Sequence, residues 1–178
     1  YYATLNTLLA SAHMSYIDKH GADMKDLGAW NDDAKLTIAV NKNAPVDSLD
    51  ELAANADKFG NRLVGIEPGA GLTEATTNKV IPEYGLQKMD YLTSSTPAML
   101  SELKAATSAK ENIAVTLWRP HWAYDAFPLK DLADPKGTLG KAEGIHSYAS
   151  KSFDKDFPKL SGWLKDFKMD SKHLYSLE

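Results

Sequence analysis

Trp118-Arg119-Pro120-His121-Trp122 concentrates the side chains of this chain best suited to chemistry, directly after the apolar run Ile113-Ala114-Val115-Thr116-Leu117. The run reads as a buried strand. Pro120 removes a backbone donor and restrains φ, so the ladder is expected to end or bend there. Indole faces then project from the carboxyl end of a strand, where open α/β sheets hold their ligands. An aromatic face attracts cations that cannot donate hydrogen bonds, above all quaternary ammonium groups. The same two tryptophans would also serve as core residues flanking a strand end. His121 likewise has two readings: a donor to a carboxylate or a polariser of a reacting group, or a structural histidine.

A second candidate is the turn Glu67-Pro68-Gly69-Ala70-Gly71-Leu72, between a strand expected over Arg62–Ile66 and a helix expected over Thr73–Tyr84. Strand, glycine turn and helix in that order form a cradle of backbone amides at a helix start. Small residues there let an anion approach the amides of Ala70, Gly71 and Leu72. The third glycine of a dinucleotide fingerprint and the Gly-Lys-Ser/Thr of a phosphate loop are both missing. A tight turn without a ligand is the plainer alternative.

Other chemistries find no constellation. The chain has no cysteine, which removes disulfides, thiol catalysis and thiolate metal sites. His13, His20, His146 and His173 are scattered without metal-ligand spacing, so no metal or other cofactor is expected. Ser94 and Ser95 stand before Pro97 and read as helix caps, not as a nucleophile elbow. Asp47, Asp50 and Glu51 read as helix-start charge. No enzyme is expected.

The elements that must position these residues alternate. Strands are expected at Leu36–Val40, Arg62–Ile66, Tyr91–Thr93, Ile113–Leu117 and Ile145–Ala149. Tyr1–Leu9 is apolar enough for a strand or for the start of a helix. Helices are expected at Ala10–His20, from Ser48 with Glu51 completing a capping box, at Thr73–Tyr84 with a break near Pro82, from Ala98 to about Ala109, and at Phe157–Phe167. That alternation is the pattern of an α/β fold. At 178 residues the chain fits one domain or two small lobes, with an ordinary 43% hydrophobic and 25% charged composition. A net charge of −4 speaks against a nucleic-acid partner. No apolar run approaches the roughly 18 residues of a membrane span. The start at Tyr1 reads as a processed or trimmed product.

Several stretches together resemble the substrate-binding proteins of glycine betaine/proline-type ABC transporters. They are Gly65-Ile66-Glu67-Pro68-Gly69-Ala70-Gly71, Ser94-Ser95 with Ala98-Met99-Leu100, Trp118 to Trp122, and Asp134-Pro135-Lys136-Gly137 with Ala142-Glu143-Gly144-Ile145, in family order. The resemblance implies a two-lobe, type II periplasmic-binding-protein-like α/β fold with an incomplete first lobe. Residues 1–41 and 114–178 would form that partial lobe and 42–113 the second. It implies a non-catalytic, extracytoplasmic receptor, with a lipid anchor expected on the full-length protein, that hands glycine betaine or a related compatible solute to a transmembrane permease. Trp118 would be one wall of an aromatic cage, with Trp122 or Tyr124 alongside.

Two departures accompany the resemblance. The family's Trp-Leu-Pro stretch before a histidine is matched by Leu8-Leu9-Ala10-Ser11-Ala12-His13, with Leu8 in place of the tryptophan. Near the C-terminus a further cage tryptophan, two residues after a phenylalanine, is replaced in Phe167-Lys168-Met169 by Met169, with His173 and Tyr175 nearby in sequence. The ligand set implied is therefore Trp118, His121, Trp122, the Gly69–Leu72 turn, His13 and Met169. The alternative is a degenerate or regulatory interaction domain that keeps the fold without binding solute. The family's opening βαβ segment has no counterpart before Leu8, and a half-lobe of this kind would expose sheet edge and favour a homodimer.

Overall fold

The computed structural model describes residues 6–9, 14–175 and 177. In chain order its elements are β1 (Asn6–Leu9), α1 (Met14–His20), β2 (Met24–Asn41), α2 (Leu49–Leu52), β3 (Arg62–Gly65), α3 (Gly71–Ala75), α4 (Ile81–Glu83), β4 (Asp90–Thr93), α5 (Thr96–Ala109), β5 (Ala114–Arg119), α6 (Ala123–Ala126), β6 (Leu129–Asp131), β7 (Glu143–Ser150), α7 (Phe153–Asp156), α8 (Pro158–Asp166) and α9 (Ser171–Tyr175). They group into two compact units. One is drawn from the chain up to Ala34 and from Ala142–Leu177, the other from Lys35–Lys141. The division differs from the one expected from sequence in that residues 35–41 and 114–141 group with residues 42–113. Strand pairing is the reason: β5 pairs antiparallel with the end of β2 and parallel with β3, and β6 adds to β2.

In the second unit the sheet runs β6-β2-β5-β3-β4, with β3, β4 and β5 mutually parallel. Its core is built from Ile38, Val40, Leu49, Leu52, Leu63, Val80, Met99, Leu103 and Leu117, all essentially inaccessible. The helix starts follow from local chemistry. Ser95 Oγ accepts the Ala98 amide at 3.3 Å, with Pro97 in the first turn of α5. Ser48 Oγ accepts the Asp50 amide at 3.4 Å. Glu51 Oε2 accepts the Asp47 amide at 2.7 Å, so it reaches one residue beyond the expected capping box. Between α3 and α4 the expected break near Pro82 is absent. The turn Thr76–Val80 widens to π geometry instead. Proline has no amide to return to the preceding turn, and a wider turn accommodates that without ending the helix.

In the first unit β7 lies between β1 and the first part of β2, antiparallel to both. The β2–β7 ladder shifts register between Asp26 and Ala29, Ala29 and Asn31, and Asn31 and Ala34. Those irregularities, with Gly28 at φ +103°, scramble the two-residue alternation. The sequence therefore showed only Leu36–Val40 of an 18-residue strand. A small core of Leu27, Ala149 and Phe153 carries Leu164 of α8 against it.

Candidate functional site

Because β3, β4 and β5 are parallel, their carboxyl ends meet at one end of the second unit's sheet. Three turns leave from that end: 66–70 into α3, 94–95 into α5, and 120–122 into α6. Two of the candidate stretches, on β3 and β5, thus share the sheet end where α/β folds place ligands. A hollow of about 220 Å³ lined by Phe59, Arg62, Glu102, Ala106 and Ile113 lies instead at the amino ends of β3 and β5.

On β5, the strand stops at Arg119, and the Arg119–Pro120 peptide is cis. His121 is 5% exposed, and its Nδ1 accepts the Ala123 amide at 3.1 Å. Burial lowers the pKa of the ring, which keeps it neutral. With Nδ1 accepting, the ring proton sits on Nε2 as the remaining donor. Trp118 and Trp122 are both half-buried. Trp118 meets His121 edge to face, with centroids 4.6 Å apart at 86°. Trp122 lies 5.6 Å from His121 and 6.0 Å from Phe127. Both tryptophans lean on the core without being sealed into it.

Behind the turn stands an ionic network. Asp131 accepts Arg119 Nε at 2.8 Å and Nη2 at 3.4 Å, and Lys35 Nζ lies 2.9 Å from the same carboxylate. Burial pushes the Asp131 carboxyl up, but hydrogen bonds from Arg119, Tyr124 and Lys35 together hold it below its usual range. The Arg119 guanidinium stands 3.6 Å from the centre of the Tyr124 ring. Tyr124 Oη and Thr37 Oγ1 are hydrogen-bonded at 2.7 Å, and burial raises the Tyr124 pKa. One face of Tyr124 is thus already occupied by a cation of the protein.

On β3, a Cβ at Gly65 would fall 2.5–2.8 Å from the Tyr91 ring, so only glycine fits the strand end there. The Ala70 amide donates to the Glu67 carbonyl at 3.0 Å, which commits one of the three amides expected to face a ligand. Gly69 and Gly71 are exposed, a Cβ at Gly69 would meet nothing within 4 Å, and the Leu72 side chain is in the core. The Glu67 carboxylate accepts the amide and the hydroxyl of Thr96, each at 2.8 Å. The Thr96 amide in particular holds that carboxyl below its ordinary range. Glu67 thereby ties the β3 turn to the start of α5. Asp134 of the Asp-Pro-Lys-Gly stretch serves as a clasp: it accepts the Tyr84 hydroxyl and the Leu139 amide, and the Lys136 amide donates to Tyr84 Oη at 2.8 Å.

In the first unit, the Met169 amide donates to the Trp30 carbonyl at 2.9 Å, and its own carbonyl accepts Asn31 Nδ2 at 3.0 Å. Met169 lines an open hollow with Lys168, Asp170, His173 and Leu177. Leu8 lies in β1 opposite His146. His13 lies outside the described residues. Among the described residues no three His, Asp or Glu side chains gather as a metal site.

Residues 3–178 match the family described as the substrate binding domain of ABC-type glycine betaine transport systems (OpuAC). The chain belongs to this family. It is 39% identical over 126 residues to the glycine betaine/carnitine transport binding protein GbuC of Listeria monocytogenes, covering 70% of this chain and 41% of the relative. The fold superposes on lactococcal OpuAC, solved in a closed form with glycine betaine, with a TM-score of 0.81 at 30% identity, covering 98% of this chain and 66% of that one. It superposes on the ProX protein of Borrelia burgdorferi with a TM-score of 0.78 at 28% identity, covering 97% and 66%. The family member thus has the α/β fold of the two-lobe type II binding proteins. It spans less than two thirds of the length of these relatives. Its family consists of transporter binding components, which are extracytoplasmic in ABC importers. No helix among its described residues is long and apolar enough to cross a membrane.

Sequence reasoning included Glu67 in the glycine turn without giving it a role of its own, and did not single out Asp131. Asp131 meets Arg119 only because the chain returns through α6 onto the three-residue strand β6. No spacing rule marks such a return.

Proposed function

We propose that the chain binds glycine betaine or a closely related quaternary ammonium solute for an ABC importer. The trimethylammonium rests on Trp118, with Trp122 beside it. The solute's carboxylate takes hydrogen bonds from the Nε2–H of His121 and from the amides of Gly71 and Leu72. The observation that carries this reading is the half-buried Trp118 indole at the carboxyl end of β5, next to a neutral histidine whose acceptor nitrogen is already engaged. Membership of the family and the relatives' names, glycine betaine/carnitine among them, support the solute class. Met169 stands where the family resemblance places a further aromatic wall. The partner in this reading is the importer's transmembrane permease, with the domain held at the outer face of the cell membrane, through a lipid anchor if one precedes it.

Isothermal titration with glycine betaine, proline betaine, carnitine and choline tests the proposal. Heat with at least one of them, with the affinity lowered by about two- to thirtyfold in Trp118→Ala, is the expected result. A folded sample that gives no heat with any of the four overturns it, in favour of an interaction domain that has lost its ligand.

A further inference from the structure

The residue after Trp118 is held by groups that touch no part of the proposed ligand. That residue is Arg119, and its guanidinium is fixed two ways by Asp131 and Tyr124. Asp131 takes two of its N–H groups, the Tyr124 ring lies beneath its plane, and Lys35, opposite Arg119 in the β2–β5 register, shares the same carboxylate. The Asp131 side chain is 17% exposed and that of Arg119 26%, so solvent competes little for either. Tyr124 sits in α6, beyond Trp122, and its hydroxyl is bound to Thr37 of β2. Both ends of the segment 119–124 are therefore anchored to the same strand pair. Between them lie Pro120, His121 and Trp122.

We infer that Asp131, acting through Arg119 and Tyr124, is a positioning residue that presets the orientation of the Trp118 and Trp122 indoles for ligand. An aromatic wall that is already oriented does not have to be ordered when solute arrives, and preorganisation of this kind shows as affinity. The inference rests on the proposed solute site for its functional consequence, but the orientation of the indoles is measurable without any ligand.

The test is a ¹⁵N–¹H spectrum of the whole chain, which carries four tryptophans, with the indole signals assigned by Trp118→Phe and Trp122→Phe. Asp131→Asn is expected to shift and broaden the Trp118 and Trp122 signals while those of Trp30 and Trp163 stay in place. It is also expected to weaken glycine betaine binding by about tenfold. Arg119→Lys keeps the charge but loses the two-pronged contact, and should give an intermediate result. It also serves as the readout if Asp131→Asn does not fold. A folded variant that melts earlier yet leaves both indole signals and the dissociation constant unchanged shows a merely structural role and overturns the inference. If the unaltered chain binds none of the solutes, the proposed function fails, and the indole signals still decide this claim.

Discussion

Aromatic residues are used in two ways in this chain, and the contrast lies in what stands behind them. In the second unit Trp118 and Trp122 are half-buried beside a neutral histidine, and an Arg–Asp–Tyr network anchors the turn that carries them. In the first unit Trp163 is 60% exposed and contacts Phe167 at 5.3 Å, while Phe157 and Leu160 of the same region are each 47% exposed. Lys165 of α8 and Lys25 of β2 are paired with Asp154 of α7. The same residue type therefore marks a candidate site in one unit and an open surface in the other. Anchoring and the placement of the turn on the sheet make the difference, and composition does not.

Substitutions should separate the two regions in graded steps. Under the turn, Leu117→Ala empties a fully buried position and is expected to lower stability by about 2–5 kcal/mol in chemical denaturation. Next comes Trp118→Ala, which removes one cation–π wall worth about 0.5–2 kcal/mol, a two- to thirtyfold rise in the glycine betaine dissociation constant by titration calorimetry. Met169→Trp supplies an aromatic ring where the family resemblance expects one, and should tighten binding by roughly two- to tenfold. Unchanged affinity there would mean that Met169 does not take part in binding.

Acidity should act on the second unit in two windows. Burial depresses the pKa of His121 in the folded state, so the unfolded chain takes up its proton first. Stability is then whole above the ordinary histidine pKa of 6.5 and declines as the pH falls below it, until the folded ring is protonated too. His121→Gln should flatten thermal melting between pH 7.5 and 5. Asp131 and Asp134 have lowered pKa values despite burial, so their contribution is present above the ordinary 3.8 and is lost only as the pH falls further. The smallest effect is expected from Trp163→Ala, within about 0.5 kcal/mol in stability and with no change in solute binding.

Much of the architecture was legible where local signals are strong. The cap at Ser95, the β-branched run Leu36–Val40 and the strand ending at Pro120 all form as their residues require. The bulged first half of β2 was not legible, because register shifts and a positive-φ glycine break its alternation. The short strand β6 and the helix α9 carry too few residues to show a period. At the site, Trp118, His121 and the Gly69–Gly71 turn stood out by type. Their supports did not: Glu67 was named only as part of the turn, and Asp131 looks like an ordinary surface acid until the chain folds back on it.

Residue order alone was enough to place an aromatic turn after a buried strand and a glycine turn before a helix, since both depend on neighbours within a few positions. Where those turns ended up was another matter. Parallel pairing of β3 with β4 and β5 brought their carboxyl ends to one edge, and the return through β6 set Asp131 against Arg119. Contacts between residues far apart in sequence depend on how strands pair across the sheet, and no local pattern encodes that choice.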